Sequence, residues 1–199
     1  MKNIPFIRES IRNLKTVGTI TKSSRALCKG MAKEVDYSSA KAIVELGAGD
    51  GVITKHILKA MASDARLLVF EVNKSFCDQL RSIEDERLIV VQDGAERLKH
   101  YLEKHDFGKV DAVVSAIPFV IFSDDEARHI ITACRDHMKK GAPYIQVHYS
   151  LVARKMYREI FGNVKTKFIP FNIPPAFVLT SQVNGEGTPE TVITDETKA

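Results

Sequence analysis

Cysteine is scarce in this chain. Three occur in 199 residues, Cys28, Cys77 and Cys134, far apart and with no Cys-x-x-Cys pair. That excludes a disulfide framework and points to buried thiols in a reducing compartment. The six histidines show no metal-ligand spacing, and none accompanies a serine or cysteine signature. Zinc chemistry and a hydrolase triad are therefore not expected. No apolar run is long enough for a transmembrane helix, and the N-terminus lacks the apolar core of a signal peptide. There is no internal repeat, and neither a Gly-x-Gly-x-x-Gly fingerprint nor a P-loop is present.

What the chain does have is Ala42-Ile43-Val44-Glu45-Leu46-Gly47-Ala48-Gly49-Asp50-Gly51-Val52-Ile53-Thr54. A short apolar run ends in an acid, passes three glycines at alternate positions and takes up helical periodicity, which reads as strand, tight turn and helix. Glycines serve where backbone must turn with positive φ or let a ligand approach, and the helix that follows offers unpaired N–H groups. The stretch is a ligand cradle. Val52 stands where a dinucleotide site wants glycine, so the ligand is of another kind. A second strand-like run, Arg66-Leu67-Leu68-Val69-Phe70, leads into Glu71, about twenty residues past the loop, where a Rossmann-type fold holds a ribose. A carboxylate there can accept from both ribose hydroxyls.

The net charge of +4 is unevenly spread: residues 1–34 hold eight Lys or Arg against Glu9 and Glu34, so this arm carries +6 and the remainder −2. Within it, Ile4, Ile7, Ile11 and Leu14 recur at helical spacing over residues 3–15, with Arg8, Arg12 and Lys15 off that stripe. Such a helix lies on an anionic membrane or packs on its own domain. A loop over Val17 to Lys22 and a helix capped by Ser23 or Ser24 follow.

From residue 35 the pattern alternates. Strands are expected near 42–46, 66–71, 87–92, 110–115 and 142–149, with helices near 51–62, 73–84, 94–104, 124–140 and 151–161. Alternation of this kind demands a mainly parallel sheet covered on both faces. Two last strands, near 164–170 and 176–183, have no helix between them and form an antiparallel pair. The expected organisation is a basic arm (1–34), one α/β, Rossmann-like domain (35–183) with a seven-stranded sheet, and a disordered tail (184–199). In such a sheet ligands bind beyond the carboxyl ends of the strands, here Glu45 to Gly51, Glu71 to Asn73, Asp93 to Ala95, Ser115 to Phe119 and Tyr149.

At Glu45-x-Gly47-x-Gly49-x-Gly51 the chain looks like the first motif of class I S-adenosylmethionine-dependent methyltransferases. With Phe70-Glu71-Val72-Asn73, Asp93-Gly94-Ala95-Glu96, Ser115-Ala116-Ile117-Pro118-Phe119, Gln146-Val147-His148-Tyr149 and Asn172-Ile173-Pro174-Pro175-Ala176, it resembles the bacterial, rhizobial-type phospholipid N-methyltransferases and the related ornithine-lipid N-methyltransferases. The likeness spans about residues 4–182. It implies a cofactor site of Glu45, Gly47, Ala48, Gly49, Gly51, Glu71, Val72, Asp93, Gly94, Ala95 and Ser115. Asp93 would meet the adenine ring, or cap the helix starting at Gly94, or both. The implied activity is methylation of a lipid amine, typically phosphatidylethanolamine, by an enzyme held peripherally on the cytoplasmic face of the inner membrane.

Methyl transfer from a sulfonium to an amine is an in-line displacement that needs no metal. The amine must be neutral, which an apolar pocket favours, and catalysis comes from alignment and water exclusion. The candidates on the substrate side are Ser115, Tyr149 and the walls Ile117, Pro118 and Phe119, with Phe119 and Tyr149 equally readable as core. His148, on the other sheet face from Tyr149, reads as structural. Two other classes remain. One is a methyltransferase for RNA or a protein: the rRNA adenine dimethylases are similar, but carry Asn or Asp before Pro and an aromatic where this chain has Ser115 and Ala116, and usually add a C-terminal helical domain, so no nucleic acid is expected. A noncatalytic cofactor-binding module is the other.

Overall fold

The structure, a computed structural model, describes residues 25–184. The expected helix at 3–15, the loop at 17–22, the cap at Ser23 or Ser24 and the tail beyond Asn184 lie outside the described residues. The first element is α1 (Arg25–Ala32), whose Leu27, Cys28 and Met31 are buried.

The alternation in sequence becomes β1 (Ala42–Leu46), α2 (Val52–Ala60), β2 (Arg66–Phe70), α3 (Lys74–Arg81) and β3 (Leu88–Val91). A 3₁₀ turn (Ala95–Arg97) leads into α4 (Leu98–Lys104), then β4 (Ala112–Ser115), α5 (Asp124–Asp136), β5 (Pro143–His148) and α6 (Arg154–Phe161). The hairpin β6 (Lys165–Ile169) and β7 (Ala176–Gln182) closes the chain. All seven expected strands form. The helices are shorter than their sequence periodicity because local chemistry ends them: Gly51, at φ +78°, starts α2, and Leu151 to Ala153 form a turn ahead of α6. Past α5, Met138 bridges Val110 in parallel as an isolated pair, and β4 itself begins at Ala112. Ser123 and Glu126 make a reciprocal capping box that fixes where α5 begins.

The sheet order is β3-β2-β1-β4-β5-β7-β6, parallel from β3 to β5 and antiparallel beyond. β7 inserts between β5 and β6, so both sides of β7 are hydrogen-bonded. Strand alternation divides the core in two. Val44, Leu46, Leu68, Phe70 and Val113 pack with α4, α5 and α6, including Leu98, Ile131, Cys134 and Tyr157. Ile43, Leu67, Val69, Ala112 and Val114 pack with α1, α2 and α3, including Met31, Ile57 and Leu80. Each such large apolar side chain contributes about 1.5–3 kcal/mol on burial, enough in sum to hold the strand ends, where the polar residues sit, in fixed register.

Candidate active site

β1 lies between β2 and β4, and its connection leaves toward one side while that of β4 leaves toward the other. A crevice opens between such diverging connections, at the carboxyl ends of the strands. The turn after β1 forms its floor. Gly47 N–H donates to Phe70 O at 2.8 Å, and a Cβ on Gly47 would lie 3.2 Å from both the amide nitrogen and Cγ1 of Ile117, at a φ of +73°. Gly49 also has positive φ (+57°), but nothing lies within 4 Å of where its Cβ would be. One glycine is required by packing; the other leaves room for a ligand.

Glu71 holds this turn. Its Oε2 accepts from the Gly49 amide and its Oε1 from the Asn73 amide, both at 2.8 Å, and it is 7 % exposed. Each carboxylate oxygen has a further lone pair to offer. Asn73 in turn caps α3 by accepting from Phe76 N–H.

Glu45 sits under the loop, fully buried, and neither carboxyl oxygen completes a hydrogen bond. Burial pushes its pKa up to about 8; Thr54 pulls it partly back without reaching hydrogen-bond geometry, and the nearby Glu71 adds to the rise. Glu45 also faces Cys28, whose thiol is pushed up to about 11 by burial first and by this carboxyl second, and Tyr37, raised for the same two reasons in the same order. The two acids singled out from sequence thus interact across the glycine turn. Buried and without a partner, this carboxyl holds its proton at neutral pH.

At the end of β3, Asp93 accepts from Gly94 N–H (2.9 Å) through Oδ1 and from the Tyr101 hydroxyl (3.1 Å) through Oδ2. It is therefore oriented by α4 and does not cap a helix: the residue at that cap is Gly94, with no side-chain bond, and the turn that follows is 3₁₀. Ala48 and Ala95 are buried and Val72 and Gly94 half-buried around the same crevice end.

On the other side of β1, Ser115 is fully buried and its Oγ accepts from Ile117 N–H at 3.4 Å. Its hydroxyl faces the turn, not open space. Gln146, equally buried, donates through Nε2 to Ile117 O (2.9 Å) and Val147 O (2.8 Å), clamping the Ser115 to Pro118 turn onto β5. Sequence reasoning missed this clamp. Pro118 is half-buried, Ile117 is buried, and Phe119 lies in the apolar core against Phe122 and His148, which is the core half of its two readings. His148 Nε2 lies 3.0 Å from the Tyr157 hydroxyl, and burial lowers its pKa to about 4, so the ring is neutral at neutral pH. Tyr149 stands half-exposed; burial raises its phenol and the Asn172 side chain, brought over by the β6–β7 loop, lowers it. Asn172 is 2 % exposed and donates to Pro174 O at 2.7 Å. Among the described residues no group of acids, cysteines and histidines is arranged to hold a metal.

No family model matches the chain. Among curated proteins it is similar to an ornithine lipid N-methyltransferase of Singulisphaera acidiphila, 27% identical over 174 residues, covering 86% of this chain and 91% of that protein. It is also similar to ribosomal RNA small subunit methyltransferase A of Thermotoga petrophila, 28% identical over 122 residues, 61% of this chain but 44% of that protein. Among solved structures, a SAM-dependent O-methyltransferase of Thermotoga maritima has a TM-score of 0.61 at 15% identity, covering 92% of this chain and 74% of that one. Magnesium protoporphyrin IX methyltransferase of Synechocystis, solved with bound SAM, has a TM-score of 0.59 at 12% identity, with 93% and 86% covered. The chain has the fold of the class I S-adenosylmethionine-dependent methyltransferases and resembles, over most of its length, an ornithine lipid N-methyltransferase.

Proposed function

We propose that this chain transfers methyl groups from S-adenosylmethionine to the amine of a membrane-lipid headgroup, working peripherally on the cytoplasmic face of the inner membrane. The residues fit the cofactor. Glu71 keeps lone pairs for a vicinal diol, Gly49 leaves open space, and the orphan carboxyl of Glu45 suits the cationic methionine end. Asp93, fixed by Tyr101, suits the adenine amine. The bound cofactor supplies an electrophilic methyl group. The chain's own task is to align a neutral amine and keep water out, which falls to the Ser115 to Pro118 turn, Tyr149 and Asn172.

The observation that carries the lipid reading is where apolar surface is exposed. Among the described residues, the large exposed hydrophobics are Val120 in the loop after β4, Tyr149, Leu151 and Val152 after β5, and Phe168, Phe171 and Ile173 in and after β6. All lie at the same end of the sheet, because the β6–β7 turn meets the carboxyl end of β5 through the pairing of His148 with Phe177. Val120, Val152, Phe171 and Ile173 are each 80 % exposed or more. Apolar tips on three separate loops around one mouth suit a bilayer, into which each can dip, better than a polyanion. The basic arm of residues 1–34 suits anionic headgroups in the same sense. No helix among the described residues is long and apolar enough to cross a membrane.

Similarity to an rRNA methyltransferase supports a second reading, methylation of an RNA adenine. The two separate when the protein is incubated with methyl-labelled cofactor, vesicles of phosphatidylethanolamine or ornithine lipid, total RNA and protein. Label in the lipid phase supports the proposal; label in RNA supports the alternative, and none despite tight cofactor binding leaves a noncatalytic module.

A further inference from the structure

We propose that Arg154 is the subsite for an anionic group that sits beside the reacting amine. Among the described residues, its Nε and Nη2 are buried and have no hydrogen-bond partner. Buried donors are nearly always satisfied, and a charged pair left bare marks a place meant for something else. Nε and Nη2 form one edge of the guanidinium fork, the edge that grips two oxygens of a phosphate or carboxylate side by side.

The position fits. α6 follows β5, so its first turn stands at the carboxyl end of the sheet. Arg154 precedes Tyr157 by three residues and shares its helix face. The Tyr157 hydroxyl meets His148, the last residue of β5, and the His148 ring lies against Phe119. Helical side chains lean toward the N-terminus of their helix, which for Arg154 is the end that faces the carboxyl end of β5. Among the described residues no carboxylate forms an ion pair with it: the first turn of α6 has no acid, and Glu159 pairs with Arg128 and Lys155.

The ligand chemistry is a two-oxygen anion a few bonds from a primary amine. Both candidate lipids have it, phosphatidylethanolamine as a phosphodiester and ornithine lipid as a carboxylate. Naming the ligand as a lipid rests on the proposed function; the anion itself is read from the orphaned guanidinium.

The test uses the full chain loaded with S-adenosylhomocysteine, with glycerophosphoethanolamine, ornithine and ethanolamine as calorimetric probes. Arg154→Met is expected to bind whichever anionic probe the wild type prefers about tenfold or more weaker, with ethanolamine weak in both and Arg154→Lys in between. The preferred probe assigns phosphate or carboxylate. The melting temperature of Arg154→Met is expected not to fall, because two unsatisfied buried donors are removed. Equal affinities in wild type and Arg154→Met, or a lower melting temperature without selective loss of the anionic probes, overturn the subsite. Vesicle turnover separates the two claims: lipid methylation with an unchanged KM in Arg154→Met overturns the subsite alone, whereas selective probe binding without lipid methylation overturns the lipid reading alone.

Discussion

The carboxylate of Glu71 and the backbone amide of Gly49 are joined by a 2.8 Å hydrogen bond across 22 residues of sequence. With the matching bond from Asn73 N–H, one side chain ties the turn after β1 to the end of β2. Glu71→Ala is therefore expected to free two amides and to lower stability by about 1–3 kcal/mol, read as a shift of the urea midpoint at constant m-value.

Glu45, buried without a partner, is a stability liability above its ordinary pKa. Its folded pKa of about 8 lies above the ordinary 4.5. Between those values the folded chain holds a proton that the unfolded chain has lost. This group's contribution is intact below about pH 4.5 and is lost as pH rises to about 8. Glu45→Gln is expected to unfold with the same midpoint as wild type at pH 5 and to be more stable at pH 9, by an amount on the order of a few kcal/mol. Denaturant titrations at the two pH values check this.

In the proposed cofactor site the same carboxyl gives affinity a pH dependence: a cation placed beside Glu45 favours the ionised form, so binding is expected to expel its proton below about pH 8. Affinity for S-adenosylmethionine is expected to rise toward pH 8 and level off above it, and Glu45→Gln to bind more weakly with that rise gone. Calorimetry in buffers of different ionisation enthalpy counts the proton directly.

Gln146 clamps the substrate-side turn through Ile117 O and Val147 O. Gln146→Leu keeps the volume but removes the clamp; Ile117 O keeps the Phe119 amide and loses its second donor, so stability is expected to fall by about 1–3 kcal/mol. Activity is expected to fall with cofactor affinity little changed, because the glycine turn and Glu71 are untouched.

Most of the architecture was legible because it is written in local pattern. Apolar runs such as Leu67 to Phe70 ending in acids, and the glycine spacing, give the strands, the turn and the crevice end without any long-range information. The insertion of β7 between β5 and β6 was not legible, since strand order depends on pairings that sequence spacing does not encode. The site divides the same way. Glu45 and Glu71 stand out beside the glycines, but Gln146 looks like any polar strand residue until its partners are known. Arg154 looks like a solvated helix cation until burial is known. Asn172 was visible in its Pro-Pro motif, but its meeting with Tyr149 across the hairpin was not.

The loop tips make a separate prediction. Phe171→Glu together with Val152→Glu is expected to abolish co-sedimentation with anionic vesicles, and deletion of residues 1–15 to weaken it, with cofactor affinity retained in both. A flotation assay at fixed lipid concentration reads the difference.

In the proposed function, the turn from Gly47 to Gly51, closed by Glu71, holds S-adenosylmethionine. Titration calorimetry of wild type and Glu71→Ala with S-adenosylmethionine and S-adenosylhomocysteine decides this. One site per chain, weakened about tenfold or more when Glu71 is removed, is the expected result; no binding heat in the wild type, or equal affinity in folded Glu71→Ala, would contradict it.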